Sequence, residues 1–382
     1  MRISLSDEQQ QFQDWAKKFA ESCVKPHVER HQTERIQPEL LKELSSQGWM
    51  ALTVPETEGG GGLDPLSFSV CIRELSRVCA STAITVAVTN MIAETLARDG
   101  TAAQKKKFLS SIVSGSSLTA SFCLTENSSG SDAAALRTRA EKKSRHYVLN
   151  GEKIYVTNGA YSGVFLVMAR TSETPGAQGI SAFIVERDQK GLHLGKEEDK
   201  MGLTASSTIQ LSLDQVEVPE ENRLLEEGEG FKIAMRSLDS GRISVASQSL
   251  GTAEAALAAG LRYVKEREQF GKTLSEFQAI QWKLANAATE LSAAELLIAK
   301  ACDLKRKGRS YTRAASMAKL FATESATRVC NEMIQIFGGY GYIKEYPVER
   351  FYRDVRVTKL YEGTSEIQRL VIAKDLLKGA EL

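Results

Sequence analysis

Apolar residues recur every three or four positions through the first third of the chain. Phe12, Trp15 and Phe19 follow this spacing, and residues 40–44 repeat it just before Gly48. Spacing of this kind puts apolar side chains on one face of an α-helix, and a glycine after the last of them is typical of a helix end. The same pattern continues over residues 68–75, 84–96 and 103–112. This region is therefore predicted to be helical.

The middle of the chain changes to short runs of β-branched, aromatic and aliphatic residues. These runs cover residues 147–149, 154–156, 164–168, 180–185 and 209–213. Gly, Pro and charged residues separate them, as is typical of β-strands joined by turns. Asn150 and Gly151 stand between the first two runs, and an Asn-Gly step is a strong signal for a two-residue hairpin. The sequence therefore predicts a β domain with a tight turn at these two residues.

Helical spacing returns from residue 231 onward in three long stretches. Stripes of Leu, Val, Ile, Met and Ala run through residues 250–264, 280–298 and 317–336, and no proline interrupts them before Pro347. Long uninterrupted helices favour an antiparallel bundle of the four-helix kind. The predicted fold is thus α+β and mostly α. An N-terminal helical domain covers residues 1–120, a middle β domain 121–230 and a C-terminal helical bundle 231–382.

The composition is that of an ordinary globular protein. The chain has 382 residues, 42% of them hydrophobic and 25% charged, and its 49 basic residues nearly cancel its 48 acidic ones. A balanced charge provides no general attraction for nucleic acid or an anionic membrane. No apolar run reaches the ~20 residues that a membrane-spanning helix needs. We therefore expect neither a nucleic-acid partner nor a membrane partner.

The cysteines indicate neither a metal site nor a disulfide framework. Six of them are scattered without a Cys-x-x-Cys pair or a neighbouring histidine cluster: Cys23, Cys71, Cys79, Cys123, Cys302 and Cys330. No metal is expected on this pattern, and a reducing compartment is the default. Residues 6–9, Ser-Asp-Glu-Gln, have the composition of a helix start rather than of a targeting leader. The expected location is cytoplasmic.

A carboxylate is predicted directly before the last helix. Residues 361–369 read Tyr-Glu-Gly-Thr-Ser-Glu-Ile-Gln-Arg, in which Gly363 permits a sharp turn and Thr364 or Ser365 can cap the helix that follows. Backbone N–H groups at a helix start favour the anion of Glu362, whereas burial favours its neutral acid. Such a carboxyl group suits a general base. The alternative is a solvated glutamate beside a helix cap.

This segment resembles the C-terminal active-site segment of the acyl-CoA dehydrogenase family, and most closely that of its short-chain, butyryl-type members. Three other blocks resemble the family in the same order along the chain. They are residues 123–132, with Cys-Leu-Thr-Glu followed by Gly-Ser-Asp; residues 267–272, Arg-Glu-Gln-Phe-Gly-Lys; and residues 335–342, Gln-Ile-Phe-Gly-Gly-Tyr-Gly-Tyr, followed by Glu345, Arg350 and Asp354. The resemblance covers essentially the whole chain and implies the three-domain fold of that family.

The resemblance implies an enzyme that converts a short- to medium-chain acyl-CoA to the trans-2-enoyl-CoA. The reaction removes an α-proton and a β-hydride, and because no side chain can accept a hydride, FAD is the implied acceptor. Glu362 matches the family's base. In the isovaleryl and long-chain branches the base comes instead from the position of Gly241. Glycine cannot act as a base, so the two positions agree in assigning the base to Glu362.

The resemblance also implies the residues that hold FAD and substrate. In the β domain, the flavin ring and pyrophosphate would contact Phe122, Leu124, Thr125, Gly130, Ser131, Tyr155, Val156 and Thr157. From a neighbouring subunit, the adenosine and diphosphate would contact Arg267, Gln278, Gln335, Ile336, Phe337, Gly338 and Gly339. Thr364, Ser365 and Glu366 would complete the cofactor site at a helix N-terminus, where anions are favoured. The acyl-CoA would contact Ser131, Asp239, Arg242, Tyr361 and Gly363.

Members of this family imply a homotetramer, a dimer of dimers, that passes electrons to an electron-transfer flavoprotein in fatty acid β-oxidation. The sequence departs from the family pattern in two places: Asn127-Ser128 replaces the usual Pro-Gly, and Tyr155 replaces the more common tryptophan. Neither departure removes a group that the reaction needs. Three alternatives stay open: an acyl-CoA oxidase on the same scaffold, a DNA-associated flavin-binding relative without the dehydrogenase role, and a helical assembly without a cofactor. The balanced charge and the intact Glu362 speak against the DNA-associated relative.

Overall fold

The computed structural model describes residues 4–379, so the first three and last three residues, assigned above to the terminal domains, lie outside it. Its N-terminal helices are α1 (Asp7–Phe19), α2 (Pro38–Ser46), α3 (Pro65–Val78), α4 (Ala80–Asp99), α5 (Ala102–Gln104) and α6 (Ser110–Val113), the last two joined by a turn of π-helix. Ser6 and Gln9 form a capping box at the start of α1. Gly48 adopts a φ of 77° just after α2. The helices predicted in this region are confirmed.

The middle region is built on an eight-stranded sheet. Its strands are β1 (Thr119–Cys123), β2 (Arg139–Lys143), β3 (His146–Thr157), β4 (Ser162–Arg170), β5 (Ile180–Glu186), β6 (Leu192–Glu197), β7 (Thr208–Pro219) and β8 (Arg223–Leu224). Their order is β6-β7-β3-β2-β4-β5-β8, with β1 pairing in parallel with β4. Alternate residues of β4 face opposite cores: Leu166 and Met168 pack with the N-terminal helices, and Phe165 and Val167 pack in a second core.

The hairpin predicted at Asn150 and Gly151 is wrong. Strand β3 continues through both residues and pairs with β7, with a shift of register between Leu149 and Gly151. Gly151 has a φ of 148°, and a Cβ built on it would lie 2.6 Å from Thr138 Oγ1. The Asn-Gly step therefore forms a bulge in a long strand. Pairing with β2 on one side and β7 on the other outweighs the local preference for a turn.

The C-terminal region is the predicted helical bundle. It contains α7 (Gly230–Glu266), the two-residue strands β9 (Glu268–Gln269) and β10 (Lys272–Thr273), α8 (Gln278–Arg306), α9 (Thr312–Phe337), α10 (Val348–Arg356) and α11 (Ser365–Leu377). Helices α7, α8 and α9 share one core. Residues 239–253 of α7 are buried without interruption because N-terminal helices cover the face that the bundle leaves open. The predicted α+β, mostly helical architecture is confirmed, and the residue limits of the three domains stay a prediction.

The described residues contain neither a membrane-spanning helix nor a cluster of metal-ligating side chains. No helix there is long and apolar enough to cross a membrane. Within residues 4–379, no group of three or more His, Cys, Asp and Glu side chains is arranged to hold a metal ion.

Candidate active site

Glu362 lies in a tight turn directly before α11. Glu362 and Gly363 both adopt left-handed backbone conformations, with φ of 55° and 90°. A glutamate rarely adopts this conformation, and such strain is typical of functional sites. Thr364 is the N-cap of α11, and its hydroxyl accepts a hydrogen bond from Ile367 N at 3.3 Å. The predicted turn, cap and helix are therefore present, with the glutamate where the turn meets the helix.

Two buried side chains hold this turn through hydrogen bonds to its carbonyl oxygens. Gln368 Nε2 donates to Glu362 O at 3.1 Å and to Gly363 O at 2.9 Å. Lys319 Nζ donates to Gly363 O at 2.7 Å. Lys319 and Gln368 are both completely buried. Sequence reasoning missed both roles. The only available signal was a lysine within the apolar stripe of residues 317–336.

The carboxylate of Glu362 lies against α7. A Cβ built on Gly241 would be 2.8 Å from Glu362 Cδ, so only a glycine leaves room for the carboxylate here. Glu362 Oε2 is buried and has no hydrogen-bond partner in the part of the chain that the structure describes. Burial raises the pKa of Glu362 to about 7, against the opposing positive charges of Arg242 and Lys319. The group can thus exchange a proton near neutral pH, as a general base must.

A second polar pair lies on the same stretch of α7. Arg242 Nη1 donates to Asp239 Oδ1 at 2.6 Å, and Thr312 Oγ1 donates to Asp239 Oδ2 at 2.5 Å. Burial raises the pKa of Asp239, while Thr312 and Arg242 oppose this effect. Arg242 Nε is buried without a hydrogen-bond partner among residues 4–379. A buried donor here and a buried acceptor on Glu362 are both left for a ligand to satisfy.

Tyr361 is engaged within the protein. Its hydroxyl donates a hydrogen bond to Gln248 Oε1 on α7. Burial and the charge of Glu362 raise its pKa well above the ordinary value. The phenol therefore ties the turn to α7, and a contact of Tyr361 with substrate would have to use its ring or backbone.

The flavin residues expected in the β domain gather around one end of β1 and β3. Thr125 and Thr157 are half-buried, and their hydroxyls have no hydrogen-bond partner among the described residues. The Tyr155 side chain is 63% exposed and its φ is 55°. Phe122 is half-buried, and Gly130 and Ser131 are exposed in the loop after β1. Leu124 and Val156 have buried side chains, so only their backbone groups are available to a cofactor.

A buried ion pair anchors the loop that follows β1. Glu126 Oε1 accepts hydrogen bonds from Lys153 Nζ at 2.7 Å and from Thr138 N at 2.9 Å, and its Oε2 accepts one from Arg137 N at 2.6 Å. Lys153 Nζ also donates to Leu124 O at 3.1 Å. Burial opposes ionisation, but Lys153 keeps the pKa of Glu126 below its ordinary value. Sequence reasoning missed this anchor, although Glu126 lies inside a recognised block.

The second group of residues expected to contact FAD lies at one end of the C-terminal bundle. The Arg267 guanidinium stacks over the Tyr340 ring at 5.7 Å, and Phe337 stacks on Tyr263 with ring centres 4.1 Å apart. Gln278 begins α8, and Gln335, Ile336 and Phe337 form the last turn of α9. A Cβ built on Gly338 or Gly339 would meet nothing within 4 Å. No hydrogen bond, ion pair or ring contact joins this group to the β-domain group within the described part of the chain.

These two groups fit the two halves of a flavin dinucleotide. The β-domain group provides open aromatic rings and two unpartnered hydroxyls beside them, which suit a flavin ring. The bundle group provides a guanidinium and open glycine backbone, which suit phosphates approached closely. At the start of α11, Ser365 Oγ is already bonded to Glu324 Oε1 at 2.8 Å, while Glu366 is exposed.

A cavity of about 80 Å³ is lined in part by α7. Ser240 and Ser244 of α7 and Ala87 and Met91 of α4 line it. Glu94 and Lys305 also line it, and their side chains form an ion pair of 2.7 Å between Nζ and Oε1. The lining of the cavity therefore combines apolar side chains with one ion pair.

Comparison with known proteins identifies the family. Sequence models of the acyl-CoA dehydrogenase N-terminal, middle and C-terminal domains match residues 6–116, 121–216 and 228–377. The short-chain specific acyl-CoA dehydrogenase of Clostridium acetobutylicum is 42% identical over 380 residues, which is 99% of this chain and 100% of that protein. The short-chain specific enzyme of Megasphaera elsdenii is 45% identical over 384 residues, again 99% of this chain and 100% of the relative.

Solved structures of acyl-CoA dehydrogenases superpose closely on this chain. Butyryl-CoA dehydrogenase from Megasphaera elsdenii superposes with a TM-score of 0.95 at 44% identity, over 99% of this chain and 100% of that one. A chain described with the electron transferring flavoprotein of Acidaminococcus fermentans has a TM-score of 0.96 at 44% identity, with the same coverage. A glutaryl-CoA dehydrogenase from Mycobacterium smegmatis in complex with FADH2 has a TM-score of 0.92 at 29% identity, over 99% and 96% of the two chains.

The family models follow one another along the chain in the order of the three structural regions, and relatives above 40% identity span its length. FAD is the cofactor of this enzyme, and the two groups of residues described above fit it. The chain belongs to the acyl-CoA dehydrogenase family of flavin-dependent oxidoreductases.

Proposed function

We propose that the protein dehydrogenates a short- to medium-chain acyl-CoA to the trans-2-enoyl-CoA, with Glu362 removing the α-proton. One observation carries this proposal: Glu362 Oε2 is buried and unpartnered, and it lies where Gly241 leaves room beside it. A carboxylate kept from water and from hydrogen bonds is a stronger base than one in solution. Glu362 is ready to accept a proton and has no competing partner among residues 4–379.

The turn that carries Glu362 also provides a donor for the thioester. The backbone N–H of Glu362 has no hydrogen-bond acceptor among the described residues. A donor aimed at the thioester carbonyl would stabilise the negative charge that develops there as the α-proton leaves. Bound FAD supplies the acceptor for the β-hydride. The left-handed conformation of Glu362 thus allows its carboxylate and its backbone N–H to face the same substrate.

Substrate length is proposed from the cavity beside α7. Ser240 and Ser244 place it within one helical turn of Gly241, and its volume of about 80 Å³ has room for only a short chain. The ion pair between Glu94 and Lys305 is an unfavourable neighbour for further methylene groups, because burying the pair under an apolar chain would remove water from both charges. We therefore assign butyryl-CoA as the reference substrate.

Assembly, electron acceptor and location complete the proposal. The bundle group that fits the adenosine half lies beside exposed apolar side chains, with Phe270 exposed by 94% and Tyr342 by 87%. Apolar surface of this kind is typical of an interface, which supports a homotetramer in which a neighbouring subunit supplies this group. The structural match to a chain described with an electron transferring flavoprotein supports such a protein as acceptor. The proposed location is the cytoplasm.

The proposal is tested by turnover of butyryl-CoA with an artificial electron acceptor. Native protein should retain a yellow bound flavin and reduce the acceptor, while Glu362→Gln should retain the flavin and lose turnover. Normal activity of the Gln variant would contradict the assignment of the base. Peroxide formation without an added acceptor would favour the oxidase alternative. A preparation without a flavin absorption band would contradict the proposal as a whole.

A further inference from the structure

Lys319 is a completely buried lysine next to the turn that carries Glu362. It lies on α9, and its Nζ donates to Gly363 O at 2.7 Å. Lysine is almost never fully buried without a charged partner, since removing an ammonium group from water costs several kcal/mol. Burial lowers the pKa of Lys319 to about 7, although the charge of Glu362 acts in the opposite direction. Its position therefore requires a reason beyond packing.

Lys319 has no direct ion-pair partner. No carboxylate oxygen lies within 4.0 Å of its Nζ among the described residues. Glu324, on the same helix, is bound to Lys359 at 2.7 Å. The negative charges that act on Lys319 through space are those of Glu362, Glu324 and Glu366, while Arg242 of α7 repels it. Glu362 has the largest effect of the three carboxylates.

The groups that act on Glu362 show why Lys319 matters. Two cations oppose the effect of burial on its carboxyl group, Arg242 from α7 and Lys319 from α9. The Arg242 guanidinium is already bound to Asp239 at 2.6 Å, which offsets part of its charge. Tyr361, the neighbour of Glu362 in the turn, is bonded to Gln248. Lys319 is therefore the cation near Glu362 whose charge no adjacent carboxylate offsets.

The hydrogen bond of Lys319 also acts on the backbone. Glu362 and Gly363 hold left-handed conformations with φ of 55° and 90°, a strained arrangement for a glutamate. Their carbonyl oxygens are held by Gln368 and Lys319. Strain of this kind persists only where surrounding groups fix it, so these two donors determine where the Glu362 side chain points.

We propose that Lys319 is a positioning residue for the dehydrogenation: it fixes the turn through Gly363 O, and its positive charge favours the ionised form of the Glu362 carboxyl group. The inference rests on the proposed function, because it requires Glu362 to be the base. A purely structural lysine would hold the turn and leave the protonation of Glu362 unchanged. The two roles therefore differ in the pH dependence of turnover.

The test compares three variants with native enzyme. Lys319→Met removes the charge and the donor, Lys319→Gln removes the charge and keeps a donor, and Lys319→Arg keeps the charge. In Met and Gln variants that retain flavin, the acidic limb of kcat/KM for butyryl-CoA should move to higher pH by about one pH unit, the size expected for a nearby opposite charge. The loss should appear in kcat more than in KM. In Lys319→Arg, the acidic limb of kcat/KM should stay at the same pH as in native enzyme.

A matched control is Lys200, whose Nζ donates to Ser206 O at 2.9 Å. Lys200→Met removes a similar lysine-to-carbonyl contact outside the site and should leave the limb in place. Folding is checked by flavin absorbance and thermal unfolding. An unmoved limb in Lys319→Met or Lys319→Gln overturns the proposal, as does loss of flavin from all three variants, which would make Lys319 a folding residue. Inactive native enzyme would overturn the proposed function as well, whereas active native enzyme with unmoved limbs overturns this inference alone.

Discussion

Gly241 lies directly against the carboxylate of Glu362: a Cβ built on Gly241 would be 2.5 Å from Oε2 and 3.1 Å from Oε1. The residues are 121 positions apart in the sequence, and no periodicity relates them. Their contact explains why a base at one position requires a small residue at the other. Both positions reach the same point above α7, and there is room for one side chain.

Gly241→Ala should therefore displace the base. The added methyl group would overlap Glu362 Oε2, and a displacement of the reacting group by about 1 Å can reduce turnover about 100-fold. The measurement is kcat/KM for butyryl-CoA in protein that retains flavin. Gly260→Ala is the control. Gly260 lies on the same helix as Gly241, roughly 28 Å further along, and its added Cβ would be 2.4 Å from Met333 Sδ. Equal losses in both variants would contradict the specific contact.

The same contact predicts that the base can be moved. Glu362→Gly alone should abolish turnover, and adding Gly241→Glu should restore a measurable part of it, because the new side chain starts where the old carboxylate lay. The control is Glu362→Gly with Arg262→Glu, because Arg262 is an exposed position of α7 roughly 31 Å further along the helix. No recovery in the first double variant, or equal recovery in both, would contradict the geometry.

Ionised Glu362 should also lower the free energy of unfolding above neutral pH. Its pKa is raised to about 7 in the folded protein by burial, so the folded state holds a proton that the unfolded chain releases between about pH 4.5 and 7. The stabilisation by the neutral acid is thus complete below pH 4.5 and is lost as the pH rises through 7. Glu362→Gln should raise the free energy of unfolding at pH 8 by up to about 3 kcal/mol, and by much less at pH 5.

Denaturant titrations of the FAD-saturated proteins at both pH values measure this difference. Glu173→Gln is a suitable control, because the Glu173 side chain is 82% exposed and its replacement should change the free energy by less than about 0.5 kcal/mol. A gain in Glu362→Gln that is equal at pH 5 and pH 8 would show that the carboxyl group titrates normally.

These contacts also show which parts of the structure the sequence could predict. Helices such as α3 and α7 follow from spacing alone, and the cap at Thr364 follows from local chemistry, because both depend on neighbours along the chain. The hairpin predicted at the Asn-Gly step was wrong because pairing with two strands distant in sequence determines the conformation of these residues. The roles of Lys319 and Glu126 depend on burial by elements far away in sequence, which no local pattern records.

Glu126 is not among the residues expected to contact FAD, but its replacement should weaken flavin retention. Glu126→Ala would leave the ammonium of Lys153 buried without its partner, a change that costs about 3–5 kcal/mol. The loop holding Thr125 and Ser131 would lose its anchor, so flavin should dissociate more readily. Thermal unfolding and equilibrium dialysis of FAD measure the two effects. In the control, Glu173→Ala breaks the exposed pair with Arg139 and should alter neither quantity measurably. Unchanged flavin affinity in Glu126→Ala would contradict the anchoring role.

Chain-length preference should depend on the ion pair of Glu94 and Lys305 that lines the cavity. Replacing both partners, as in Glu94→Ala with Lys305→Ala, enlarges the cavity without leaving one charge unpaired. Each buried methylene is worth about 0.8 kcal/mol, so four additional carbons could gain up to about 3 kcal/mol. The ratio of kcat/KM for octanoyl-CoA to that for butyryl-CoA should therefore rise at least about tenfold. The control removes the exposed pair of Lys107 and Glu186, 2.6 Å apart, and should leave the ratio unchanged. If the cavity variant kept butyryl-CoA turnover with the native ratio, the acyl chain would have to lie elsewhere along α7.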